Sequence, residues 1–167
     1  MKRSFLGALA VVALVSLGGT AADADLSESV QKKFKGQILV SADPLPSSAV
    51  DEADMVRQLK KASSGVINHA KAGSEGVAVW RFHFIAFMDR KPGVSQVALD
   101  FYTDDKKKQF VAQERLAGID GKLTLLQAEA ELSEDDGLSP NRAYVVKLTA
   151  EVKGREVVLA TTKLRTK

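Results

Sequence analysis

Residues 138–152, LSPNRAYVVKLTAEV, decide how this chain is read. After Arg142 the side chains alternate: Tyr144, Val146, Leu148, Ala150 and Val152 fall on one face, and Val145, Lys147, Thr149 and Glu151 on the other. A period of two belongs to a strand that turns one face to a core. Lys153-Gly154 then turns the chain into residues 156–165, where Val158, Ala160, Thr162 and Leu164 share a face. The two segments are expected to form the last antiparallel pair.

The same period runs back to residue 77, with turn signals every ten or so residues. Residues 77–88 (VAVWRFHFIAFM) are apolar on both sides: Trp80, Phe82, Phe84 and Ala86 on one, Val79, Ile85 and Phe87 on the other. Apart from Arg81 and His83, such a strand is expected to be central and covered on both faces. Pro92-Gly93 fits a type II turn. Val97, Leu99 and Phe101 alternate with Ala98, Asp100 and Tyr102; a charged connection, residues 103–108, leads to a strand over 109–117. Asp120-Gly121 is a type I′ hairpin signal before a strand over 123–132, which ends in the loop SEDDGLSPN. Near the start, residues 36–42 (GQILVSA) read as a strand closed by Asp43-Pro44-Leu45-Pro46, since neither proline donates to a ladder.

That makes seven strands, with one helix inserted between the first and second at about 48–72. Ser48 is the expected cap, with Asp51 three residues on and Glu52 and Asp54 at the positive end of the dipole. Met55, Leu59, Ala62, Val66 and Ala70 form its apolar stripe, Ser63-Ser64-Gly65 is a weak spot, and Gly73 is a stop. The stripe is expected to cover one end or edge of the strands. Residues 25–35, polar and aperiodic, are expected to be a mobile N-terminal arm, leaving 36–167 as a single domain.

Seven short strands at this spacing favour a sandwich or small barrel. Leu138-Ser139-Pro140, followed after three residues by Tyr144-Val145-Val146-Lys147-Leu148-Thr149-Ala150, resembles the turn into the sixth strand of fibronectin type III and related immunoglobulin-like domains. There a leucine and a proline precede a buried tyrosine whose hydroxyl returns to the backbone upstream. Trp80 is similarly placed to the buried tryptophan on the second strand of type III domains. The resemblance implies an all-β, seven-stranded antiparallel immunoglobulin-like sandwich and a binding or spacer module. It carries over no functional residues. The inserted helix and the busy connection Asp104-Asp105-Lys106-Lys107-Lys108 depart from that pattern. An α+β fold, an antiparallel meander curled around the helix, is the alternative.

Residues 1–24 read as a secretory signal peptide. Lys2 and Arg3 form a charged start, residues 5–17 an apolar run, and Ala22-Asp23-Ala24 the small-x-small cleavage pattern before Asp25. The run falls short of the roughly 20 residues that span a hydrocarbon core. No membrane span is expected after cleavage; an uncleaved leader acting as an anchor is the competing reading. Loss of Lys2, Arg3 and Asp23 lowers the formal charge of +3 by one, close to neutral. With no cysteine, the domain is held by packing alone, which suits a bacterial periplasmic or secreted protein.

Candidate chemistry is sparse. His69 and His83 are the only histidines, and neither has a chelating neighbour in sequence, so a partly buried structural His83 and a surface His69 are expected. Glu134-Asp135-Asp136 with Asn141, together with Asp104-Asp105, offers oxygen ligands for calcium but not at EF-hand spacing. Lys32, Lys33 and Lys35, Lys106–Lys108, and Lys163, Arg165 and Lys167 form three basic clusters, diluted by acidic residues and poor in exposed aromatics. Ser63, Ser64, Ser133 and Ser139 lack a nucleophile-elbow setting. No catalytic, cofactor-binding or metal residue is therefore assigned, no cofactor is expected, and nucleic acid is not the expected partner. The expectation is an exported, non-enzymatic binding module whose partner is a protein or glycan of the cell envelope. A small apolar-ligand carrier with its pocket between helix and sheet is the alternative.

Overall fold

The long apolar strand β4 (Val77–Phe87) organises the molecule. In the computed structural model, which describes residues 26–72 and 76–167, it pairs with β7 (Leu125–Ser133) along one edge, from Val79/Ser133 to Phe87/Leu125. On its other edge it pairs with β1 (Gln37–Ser41) at one end and with the short β3 (Ala70–Ala72) at the other. The expected signal peptide lies outside the described residues.

A second run of antiparallel ladders joins β9 (Arg155–Thr166), β8 (Ala143–Val152), β5 (Gln96–Thr103) and β6 (Phe110–Ala117), in that order. The two runs meet where β1 touches β9 in parallel at Gln37 and Thr161, and β2 (Val66–Ile67) extends this seam along β9. The result is one β-dominated, nearly closed, barrel-like sheet of nine strands, with β6 and β7 as its free ends.

Alternation places the core. Trp80, Phe82, Phe84, Leu99, Phe101, Tyr144, Val146 and Leu148 all point inside and are buried. The Tyr144 hydroxyl accepts a hydrogen bond from the Ser139 N–H at 2.8 Å. The other face of β4 and β1, carrying Leu39, Ile85 and Phe87, forms a second core under two helices, α1 (Glu28–Lys33) and α2 (Glu52–Ala62). Val30 from the first and Phe34 just after it, with Met55 and Leu59 from the second, cover it. β4 is thus covered on both faces because its sequence is apolar on both; Arg81 and His83 lie where the helix cover stops.

Four local expectations are corrected. The supposed mobile arm over 25–35 carries α1: Ser27 caps it by accepting from the Val30 N–H, and Leu26, Val30 and Phe34 are buried on the sheet. Three apolar residues at this spacing bury enough surface to order a segment whose other residues are charged. The helix over 48–72 is shorter at both ends. Asp51, not Ser48, is its cap, accepting from the Asp54 N–H at 2.7 Å. It stops at Ala62, where the Ser63 N–H closes on the Leu59 carbonyl and Gly65 takes a φ of +61°. The β-branched Val66 and Ile67 then pair with β9, so Val66 and Ala70 belong to strands, and the described residues hold nine strands rather than seven.

Nor does the helix cap an end or edge; it lies on the outer face of β1 and β4. Finally, Asp120-Gly121 does not close a hairpin. It links β6 to β7, which pair with β5 and β4 respectively and not with each other. The long apolar β4 offers β7 a full ladder, and that non-local pairing outweighs the local turn signal. Gly121 itself packs on the Pro92-Gly93 turn, where a Cβ would sit 2.7 Å from the Val94 carbonyl oxygen.

Candidate functional site

The outward face of β6-β5-β8-β9 is built in rows by the pairing register. One row runs Phe110, Tyr102, Val145, Lys163; the next Gln113, Asp100, Lys147, Thr161. A register shift between Phe101 and Tyr102 brings Phe110 opposite Tyr102. Phe101 and Leu99 point into the core, so Tyr102 and Asp100 must point out.

Asp100 nevertheless has almost no exposure, 2%. Its carboxylate accepts hydrogen bonds from the Thr149 hydroxyl at 2.6 Å and the Gln113 amide at 2.7 Å. Gln113 in turn accepts from Arg115 Nε at 2.8 Å, which completes a polar chain across three strands. A buried carboxylate is tolerated only when bonded in this way. The Lys147 ammonium sits 4.3 Å from the centroid of the Tyr102 ring, a cation–π contact. Burial, with the Asp100 and Glu156 carboxylates adding to it, raises the Tyr102 phenol above its usual range, so its hydroxyl keeps its proton. Phe110 stands edge-on to Tyr102 at 5.8 Å and is itself 57% exposed.

The connection before Phe110 is held by its own acids. Asp105 accepts from the Lys107 and Lys108 N–H groups at 2.8 and 2.9 Å, and Asp104 pairs with Lys163 at 2.9 Å. The arrangement is a surface patch: one exposed ring, a hydrogen-bonded polar chain and an outward ammonium group.

The residues singled out from sequence scatter elsewhere. His83 lies half-buried on the outer face of β4, opposite Ser41 and Glu129, beside Arg81, which pairs with Glu129 at 3.3 Å and with Glu131. His69 stands edge-on to Trp80 at 6.0 Å. The Lys167 carbonyl oxygen lies 2.7 Å from His69 Nδ1 and also accepts from the His69 backbone N–H and the Trp80 indole.

Two of the three acids in the run bond within the fold. Asp136 accepts from the backbone and hydroxyl of Ser133, and Glu134 accepts from the Ala78 N–H. Ser63 caps α2, and the Ser139 N–H serves Tyr144. Of the three basic clusters, only Lys106–Lys108 and Lys163 are drawn to one place, through Asp104. Lys32 and Lys33 lie on α1, and Lys35 just beyond it. Asp100, Gln113 and Lys147 were missed as a group. The available signal was a carboxylate in the middle of the otherwise apolar VALDFYT.

No family model matches the chain, and no curated protein matches it. Among solved structures, a glycosyl hydrolase family 2 member from Bacteroides cellulosilyticus is similar at 11% identity, with a TM-score of 0.32, over 59% of this chain. The matched region is 15% of that enzyme's chain.

Proposed function

We propose that the protein is an exported, non-enzymatic binding module of the cell envelope, an immunoglobulin-like sandwich that meets its partner through the outer face of β6-β5-β8-β9. The ladder order supports the sandwich reading. In such folds the first, second and fifth strands form one sheet and the third, sixth and seventh the other. Counting the seven long strands in order, β1, β4 and β7 pair together, as do β5, β8 and β9, with β6 added to β5. The Tyr144–Ser139 hydrogen bond and the buried Trp80 agree with the same likeness. Export rests on the tripartite leader, and amino-terminal sequencing of exported protein, expected to begin at Asp25, checks it.

The observation that carries the binding reading is the exposed Phe110–Tyr102 pair beside the Asp100 chain. Ordered polar groups around an exposed aromatic are what recognition surfaces use. The carrier alternative needs a roomy pocket between helices and sheet. That space is filled by Phe34, Leu39, Met55, Leu59, Ile85 and Phe87, which favours the surface reading. The test is retention of envelope components on immobilised wild type, Phe110→Ala and Lys147→Ala proteins. A component held by the wild type and lost with both variants is expected. Retention unaffected by either change would sink the assignment of this face.

A further inference from the structure

We infer that the free edge of β6 takes an added strand from another protein, an extended segment with a lysine or arginine between two apolar residues at alternate positions. The edge is distinct from the outer face proposed above, and each reading stands or falls without the other. Backbone comes first. β6 ends the sheet and pairs only with β5, so alternate N–H and C=O groups along it face away from any strand. Residues 112–117 make no other backbone hydrogen bond among the described residues. At its start the edge is stopped. Gly137, after the short turn Glu134–Asp136, packs so closely that a Cβ on it would lie 2.8 Å from the Val111 carbonyl oxygen. Residues 112–117 are left open, about the length of an ordinary strand. An extended polypeptide is the ligand that answers such a row of backbone groups.

Register and charge then narrow the segment. Ala112, Glu114 and Leu116 point inward, opposite Phe101, Leu99 and Val97. Those three β5 residues are buried, whereas Glu114 and Leu116 are only half-buried, since no strand covers them on the free side. Burial first, and the acid Asp136 second, raise the Glu114 carboxyl above its usual range, and no cation of the described residues opposes them. On an added strand, the residue opposite Glu114 brings its Cβ within about 4.5–5.5 Å. A lysine or arginine there pairs with the carboxylate; an apolar residue desolvates it and an acid repels it. Two residues to either side, the segment's apolar side chains lie against Ala112 and Leu116. An inward charge blunts an edge against most strands, and here it also selects, because a cationic strand escapes the penalty. A second copy of this chain does not qualify. Its β6 brings another Glu114, and its β7 brings Leu126, Ala128 and Ala130 to the inward face.

The experiment titrates the full mature chain, isotope-labelled for amide NMR, with the end-blocked peptide Thr-Val-Thr-Lys-Thr-Val-Thr. Companion peptides carry leucine or glutamate in place of the lysine, or N-methyl groups on one or the other set of alternate amides. The lysine peptide is expected to bind at least about fivefold tighter than the leucine and glutamate peptides. Its binding should slow amide exchange along residues 112–117, and at least one N-methylated set should abolish it. Glu114→Gln should remove the preference for lysine, and Glu114→Lys should transfer it to the glutamate peptide. Thermal melts verify that both variants fold; if either does not, the peptide series on the wild type decides alone.

Equal binding of the leucine peptide, indifference to Glu114→Gln, undiminished binding of both N-methylated sets, or protection that appears on β7 rather than along residues 112–117 each overturns the inference. So does an absence of binding by the lysine peptide at millimolar concentration. If no peptide binds but an envelope component is retained in a Phe110-dependent manner, the edge inference fails and the outer face stands. If peptide binds and nothing is retained through Phe110, the edge stands and the face fails.

Discussion

The Tyr144 hydroxyl accepts the Ser139 backbone N–H at 2.8 Å, five residues upstream across the turn into β8. The ring is buried in the core beside Val146 and Leu148, so one side chain fastens the connection and fills the interior. Tyr144→Phe is expected to cost about 1–2 kcal/mol, because the N–H loses its partner. Tyr144→Ala adds a cavity and is expected to cost about 3–5 kcal/mol. Urea melts measure both, and a neutral Tyr144→Ala would contradict its place in the core.

Phe34 lies with its ring centroid 5.1 Å from that of Phe87, which ties the segment after α1 to the outer face of β4. Phe34→Ala should destabilise the domain by about 3–5 kcal/mol. A mobile arm would show no change, so a denaturant melt of this one variant separates the two descriptions.

Asp100 and Thr149 form a buried pair at 2.6 Å, so their substitutions should not add. A double-mutant cycle with Asp100→Ala and Thr149→Val is expected to give a coupling of about 0.5–3 kcal/mol. Additivity would mean that the Asp100 chain is not formed in solution.

Glu114 sits on β6, the end strand, facing inward opposite Leu99. Burial raises its carboxyl pKa above the usual 4.5, and Asp136 raises it further. The folded protein therefore holds this proton more tightly than the unfolded chain. Stability is unaffected by Glu114 at low pH, falls as pH rises from about 4.5 to the raised value, and is constant above it. Glu114→Gln should thus be more stable than wild type at pH 7 and equal to it near pH 3. Urea midpoints across pH measure this, and a variant less stable at pH 7 would reverse the sign. An inward charge on an end strand also discourages edge-to-edge pairing, so Glu114→Val is expected to increase self-association in size-exclusion runs.

Gly121→Ala would place a Cβ 2.7 Å from the Val94 carbonyl oxygen, a backbone atom that cannot swing away. A loss of about 1–3 kcal/mol is expected by the same melts. A neutral result would mean that the two turns are not packed together.

The sequence by itself determined the seven long strands and the core they carry. Period-two alternation is written into residues such as Tyr144, Val146 and Leu148, or Trp80, Phe82 and Phe84, whatever their partners. It also determined the Tyr144 device, because the leucine, proline and tyrosine are local to one turn. The start of α2 was legible to within a few residues from its acids and its Met55–Leu59 spacing.

Beyond the β8–β9 hairpin, only the tertiary structure decided which strands pair. Asp120-Gly121 invites a local hairpin, yet β7 goes to β4, whose long apolar edge offers more than the turn can. Tertiary context likewise ordered α1, since Val30 and Phe34 gain nothing until Phe87 and Ile85 are there to receive them. It ended α2 at Ala62 for the sake of the Val66 and Ile67 pairing with β9. The candidate face was hidden for the same reason. Asp100, Gln113, Lys147 and Phe110 lie on three strands, and nothing in their spacing along the chain says that register will set them side by side. Alternation is a property of one strand; a surface is a property of several, and burial of distant apolar residues chooses how they meet.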